Sequence, residues 1–171
     1  MKVALWTTAA LALVGATSDN LLAQAKKGDK SSLKGFPDLV AALKASPGCL
    51  GVETASTSTG KQVIFAWFED KKAVVKWYYS EVHQQAMKQF TSGVEGPKPL
   101  KDVADDTGPI MVIASVTIAK EGKFKQVSLP ISQIAIELYQ PLPGGAHLGG
   151  RFAPKSVKVP QLRDYTPKEK E

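Results

Sequence analysis

The sharpest hydrophobic pattern lies at Lys61–Glu69 (KQVIFAWFE). Val63, Phe65 and Trp67 alternate with Ile64, Ala66 and Phe68, which is the period-two signature of a strand. Both of its faces are apolar, so both must be covered by helices, a second sheet or a ligand. Three more segments read as strands: Cys49–Thr57, Ile110–Ala119 (IMVIASVTIA) and Ile131–Gln140 (ISQIAIELYQ). In the last, Ile134, Ile136 and Leu138 share one side. Ser58-Thr59-Gly60 and Lys120–Lys123 are the turns between neighbours.

Two segments carry helical spacing instead. Phe36, Leu39, Val40 and Leu43 predict a helix over Phe36–Ala45, with Pro37 in its first turn. Ser46-Pro47-Gly48 ends it, because a residue before Pro avoids the helical region and Gly permits a turn. Asp70 can cap a second helix reaching Phe90, with Val74, Tyr78, Val82, Ala86 and Phe90 as its i, i+4 stripe. His83 lies at the margin of that stripe and Trp77 well off its centre. Thr91–Pro109, rich in Pro and Gly, is a loop with room for one helical turn near Leu100–Ala104. After Gln140 the Pro/Gly-rich stretch PLPGG opens an irregular C-terminal tail.

The N-terminus has a different pattern. Lys2 precedes an apolar or small run from Val3 to Ala16, and Ala23-Gln24-Ala25 has the A-x-A form of a signal cleavage site. The run is short of the roughly 20 apolar residues of a membrane span. The expected organisation is a signal peptide at 1–25, a flexible polar leader at 26–35, a folded domain at 36–140 and a tail at 141–171. The mature protein would begin at Lys26, be exported to the periplasm or extracellular space, and carry no integral membrane segment.

The order helix, strand, strand, helix, strand, strand predicts an α+β fold. A ferredoxin-like sheet runs strand, helix, strand, strand, helix, strand. The first strand is missing here and an extra one stands at the end. The pattern therefore predicts a ferredoxin-like antiparallel sheet with two helices on one face, circularly permuted to α-β-β-α-β-β. Ile131–Gln140 would then fill the central slot of the missing strand. The alternative is a short strand hidden before Phe36.

Composition narrows the chemistry. The chain has 171 residues, 43% of them hydrophobic, which suits one folded domain rather than global disorder. One cysteine excludes an internal disulfide framework and a cysteine-based zinc site, and two histidines leave metal sites poorly supplied. No cofactor is called for. The net charge of +6 survives signal cleavage, which removes one Lys and one Asp. The basic residues fall in separate clusters, Lys26-Lys27, Lys71-Lys72, Lys120–Lys125 and Lys155–Lys158. No nucleic-acid motif accompanies them, so nucleic acid is not an expected partner.

His83 is the leading candidate for acid–base chemistry, since imidazole titrates near neutrality. Glu81 lies off its helix face and is a poor orienting partner. His147 sits among paired glycines that allow close backbone approach to a ligand, or a mobile tail. Cys49 has no cationic neighbour in sequence and reads as an inert, buried thiol. Trp67, Phe68, Trp77, Tyr78 and Tyr79 can stack on a flat ligand or fill a core. Glu53, Ser115, Gln133 and Glu137 are polar positions within strands that would orient a substrate if they faced a cleft.

The segment Pro37–Phe90 resembles the antibiotic-biosynthesis-monooxygenase type of dimeric α/β barrel. The matching residues are Ser46-Pro47-Gly48-Cys49-Leu50-Gly51, Phe65-Ala66-Trp67-Phe68-Glu69-Asp70, and the pattern Ala73-Val74-x-x-Trp77-x-x-Ser80-x-x-His83. The resemblance implies a domain whose open sheet face packs on a second copy. It also implies a small apolar or aromatic ligand and, for oxygenase-type members, cofactor-independent monooxygenation. His83 would then be the catalytic base, with Phe68, Trp77 and Tyr78 lining the ligand pocket. Oxygenase-type members carry their histidine nearer Val82, one position away. Haem-degrading members place an iron-binding histidine where Met87 stands, so haem binding through His83 or His147 is a third reading. A non-catalytic dimerisation or partner-binding module of the same fold is the alternative to a ligand-binding protein.

Overall fold

The computed structural model describes residues 38–91, 98–124 and 130–168. The expected signal peptide, the leader, and Phe36 and Pro37 lie outside the described residues. The fold is α+β, with a four-stranded antiparallel sheet and three helices among the described residues. The first helix, α1, spans Leu39–Ala45 and starts where the Asp38 carboxylate accepts the Ala41 N–H at 3.0 Å. Ser46 leaves the helix in an extended conformation, and Gly48 takes φ +79° to turn the chain into the sheet.

Strands β1 (Cys49–Ser56) and β2 (Lys61–Phe68) form an antiparallel hairpin across the Thr57–Gly60 turn. Asp70 caps α2 (Lys71–Tyr78), accepting the Ala73 N–H at 2.8 Å. The chain then forms α3 (Glu81–Lys88), β3 (Ile110–Ile118) and β4 (Ile131–Tyr139). Lys71 anchors the connection before β3 by pairing with Asp105 at 2.7 Å and donating to the Val103 carbonyl. The four strand boundaries fall within one residue of those expected from the hydropathy pattern.

Two expectations are corrected. The single helix from Asp70 to Phe90 is two helices. Ser80 adopts an extended conformation (ψ 147°) and its hydroxyl accepts the His83 N–H at 3.3 Å, so it starts α3 afresh. The strand order is β1-β2-β3-β4, a meander, so Ile131–Gln140 does not fill a central slot. β3 pairs with β2 from Lys61↔Thr117 to Phe68↔Ile110 without a gap, and β4 lies outside it. The reason is side-chain matching. Phe65, Ala66, Trp67 and Phe68 meet Ile113, Val112, Met111 and Ile110, whereas β4 would have brought Ser132, Gln133 and Glu137 between these apolar strands.

The two faces of β2 are covered by different layers. On one face Ala66 and Phe68 join Leu43, Ala73, Val74, Trp77 and Ile110 in a buried cluster under the helices, with Phe68 fully buried. The opposite face, with Val63, Phe65 and Trp67, meets the C-terminal segment. Phe152 packs edge-on against Phe65, with ring centroids 5.0 Å apart, and lies 6.4 Å from Trp67.

That segment is built, not merely trailing. Ala146–His147 (β5) pairs in parallel with Arg163–Asp164 (β6). Arg151 donates to the carbonyls of Pro154, Lys155 and Val157 at 2.8, 3.0 and 2.7 Å, which holds one tight loop shut. Val157, fully buried, is drawn inward by that loop.

The closest approach of tail to sheet is at Gly51, where a Cβ would stand 2.5 Å from Pro154 Cγ. A proline ring cannot swing aside as a flexible side chain would. Gly51→Ala is therefore expected to displace Pro154 and to destabilise the domain by about 1–3 kcal/mol. Urea unfolding and limited proteolysis after Gln140 check this. Wild-type stability with an equally protected tail would show that Pro154 is not seated on β1.

Candidate functional site

Two of the aromatic candidates, Trp77 and Tyr78, meet at His83, which is half-buried. The turn between α2 and α3 folds the imidazole back over the end of α2. His83 Nδ1 lies 2.9 Å from the Tyr78 carbonyl oxygen. A carbonyl only accepts, so Nδ1 carries the proton and Nε2 is the acceptor of the neutral ring. Gln84 donates its side-chain amide to the same carbonyl. The ring packs against Trp77 at 5.5 Å and Tyr78 at 5.2 Å between centroids. Burial pulls the His83 pKa below its ordinary value, and the Tyr78 hydrogen bond opposes that only in part. Phe68 and Trp77 belong to the helix-side core, at 0% and 7% exposure. His83, Phe68, Trp77 and Tyr78 line neither the groove beside β1 nor a smaller cavity at Lys71, Val75, Tyr79 and Asp105.

Cys49 fits its reading as an inert thiol. It is half-buried, its Sγ faces the Gly51 carbonyl at 3.7 Å, and burial pushes the thiol pKa up. Among the described residues no group of three or more His, Cys, Asp or Glu could hold a metal ion.

The larger cavity is elsewhere. A groove of about 920 Å³ runs between the C-terminal end of α1, β1 and the C-terminal segment. Leu50, Val52, Val157, Val159 and Leu162 supply its apolar surface, and Lys44, Lys155 and Lys158 its charge. Its walls exist because Arg151 closes the 151–157 loop and because the β5–β6 pairing returns the chain alongside it. The opposing carboxylates that line it are Glu53 and Asp164.

His147 lines this groove. Its Nδ1 stands 3.5 Å from Asp164 Oδ1, within ion-pair range, yet the atom is buried without a hydrogen-bond partner. The contact is electrostatic, because its geometry falls short of a hydrogen bond. Thr166 holds the exposed Asp164 carboxylate below the usual range, and His147 adds a smaller pull. The Trp67 indole Nε1, on the tail-covered face, is also buried without a partner.

The four polar strand residues share one face. Pairing aligns Glu53, Phe65, Ile113 and Glu137 in one row, and sets Ser115 and Gln133 on the same side. Only Glu53 among them reaches the groove. The candidates read from the sequence therefore centre on the helix, and the groove was not among them. The available signal was the mixture of apolar and basic residues in Arg151–Leu162 (RFAPKSVKVPQL).

Comparison of the chain with known protein families, curated proteins and solved structures finds no match.

The half-buried His83 yields a pH prediction. The unfolded chain takes up a proton at the ordinary value of 6.5, and the folded chain only at lower pH. Its contribution to stability is complete above that pH and is lost as pH falls through the folded value. His83→Gln keeps a donor for the Tyr78 carbonyl but cannot charge. Urea midpoints measured from pH 8 to pH 5 should fall more steeply for the wild type than for this variant. Parallel profiles would contradict the burial of the imidazole.

Proposed function

We propose that the protein is an exported small-molecule-binding protein that works as a homodimer and takes its ligand in the groove beside β1. The observation that carries this reading is the groove. Its volume of about 920 Å³ falls within the roughly 300–1,000 Å³ of small-molecule sites. An apolar wall bordered by Lys44, Lys155 and Lys158 suits a ligand with an aromatic or aliphatic body and one anionic group.

Binding is favoured over oxygenation by the state of His83. Its Nδ1 is committed to the Tyr78 carbonyl, and it stands away from both cavities. A general base must reach the proton it removes. The likeness to the antibiotic-biosynthesis-monooxygenase type does not extend to the strand order, which is a meander, and rests on one local junction. A Cβ at Gly48 would stand 2.5 Å from Ala73 Cβ and 2.8 Å from Glu69 Oε1, and Gly48 O accepts the Glu69 N–H at 2.9 Å. The three motif segments thus meet at one junction of helix and sheet. Such a junction specifies a scaffold and leaves the activity to its sites.

Two measurements test the reading. N-terminal sequencing of the exported protein should begin at Lys26. Calorimetric titration of that mature form with aromatic and straight-chain carboxylates should give saturable binding by at least one of them. The double variant Lys155→Glu, Lys158→Glu should weaken it at least tenfold, while His83→Ala leaves it unchanged. Binding that depends on His83 and ignores the lysines would return the site to the helices. No saturable binding by any carboxylate would sink the proposal.

A further inference from the structure

We infer that β4 is the seam of the homodimer: β4 of one copy pairs antiparallel with β4 of the other about a two-fold axis at Ala135. This rests on the homodimer reading above and names its surface. β4 ends the sheet and pairs with β3 alone, so the nine-residue strand presents an open backbone edge among the described residues. Exposed edges are ordinarily blunted by Lys, Pro or a bulge that turns the edge away. The strand ISQIAIELY has no Lys, Arg, Pro or Gly, its one charge is Glu137, and its one bulge, at Ser132, lies at its start and leaves Gln133–Tyr139 in unbroken register. It also exposes apolar side chains, with Ile136 at 50%, Leu138 at 45% and Tyr139 at 47%. The C-terminal segment meets the sheet elsewhere, on its face, with Pro154 against Gly51 of β1.

The strand is complementary to itself in one register. With the axis at Ala135, Ile134 faces the partner's Ile136, and Gln133 faces the partner's Glu137. Gln133 Oε1 already accepts from the Thr117 hydroxyl at 3.3 Å, which leaves its amide N–H₂ to donate to that carboxylate. The two Glu137 carboxylates then sit roughly 14 Å apart, from about 3.4 Å of rise per residue and 4.8 Å between strands. That exceeds the Debye length of about 8 Å at physiological salt. Moving the axis to Glu137 would oppose the two carboxylates directly, and moving it to Ile136 would leave Glu137 facing Ala135. A two-fold seam of this kind is closed, so it yields a dimer and not a fibre.

The test combines sedimentation equilibrium with a cysteine placed on the axis. In a Cys49→Ala background, Ala135→Cys puts two thiols opposite each other, with Cβ atoms about 4.5–5.5 Å apart. Mild oxidation should convert most of the protein to a covalent dimer. Ile134→Cys, displaced from the axis, should cross-link at least tenfold more slowly. Ile136→Lys adds charge at an exposed position and should raise the dimer dissociation constant at least tenfold while leaving the circular dichroism spectrum unchanged. A dimer that survives Ile136→Lys and does not cross-link through Ala135→Cys would overturn the β4 seam and keep the homodimer. A monomer at 100-micromolar order (about 10⁻⁴ M, a Kd equivalent to about 5.5 kcal/mol) would overturn both.

Discussion

β2 carries bulky apolar side chains on both faces, and the architecture follows from covering both. A strand of this kind cannot sit at the rim of a one-layered sheet without leaving one face wet. The chain meets the requirement with two unrelated layers. The helices take Ala66 and Phe68, and the C-terminal segment takes Phe65 and Trp67. The same requirement sets the strand order. β3 offers Ile110, Met111, Val112 and Ile113 in register with the apolar half of β2, and the more polar β4 is left outside.

The local structure was largely legible in the sequence because its signals are local. Alternation located β2, β3 and β4, and Asp70 and Gly48 mark a helix start and a turn by chemistry that acts within a few residues. The break at Ser80 was hidden because the apolar stripe continues through it: Val74, Tyr78, Val82 and Ala86 keep their spacing across two helices. Only the competition of one hydroxyl for the His83 N–H decides the matter. Strand order was not legible for another reason. It depends on which of two strands matches β2 better, a comparison between segments more than forty residues apart along the chain.

The groove was hidden by the same asymmetry between local and distant information. His83 and its aromatic neighbours are close in sequence, so a cluster could be read there, and the cluster does form. What could not be read is that the half-buried imidazole spends its proton on a backbone carbonyl. The groove instead joins α1 and β1 to residues a hundred positions later. Pro and Gly made that late stretch look irregular, yet its order comes from Arg151, one guanidinium satisfied by three carbonyls. A cation with that many acceptors gains more than a neutral donor would, and closing a short loop costs little entropy.

Because the C-terminal segment is one wall of the groove, its docking and any ligand's binding are linked. A ligand touching both β1 and the 151–162 loop binds only the docked form, and therefore stabilises that form in proportion to its occupancy. The segment is held by a few contacts: Phe152 on Phe65, Pro154 on Gly51, and Val157 buried beneath the loop. Few contacts mean a modest free energy of local opening, well below that of the helix-side core. Opening would remove the wall without disturbing the β2 core under the helices. The layer that completes the cover of β2 is thus also the layer through which the groove can be made or lost, and this ties the packing requirement of one strand to the existence of the groove.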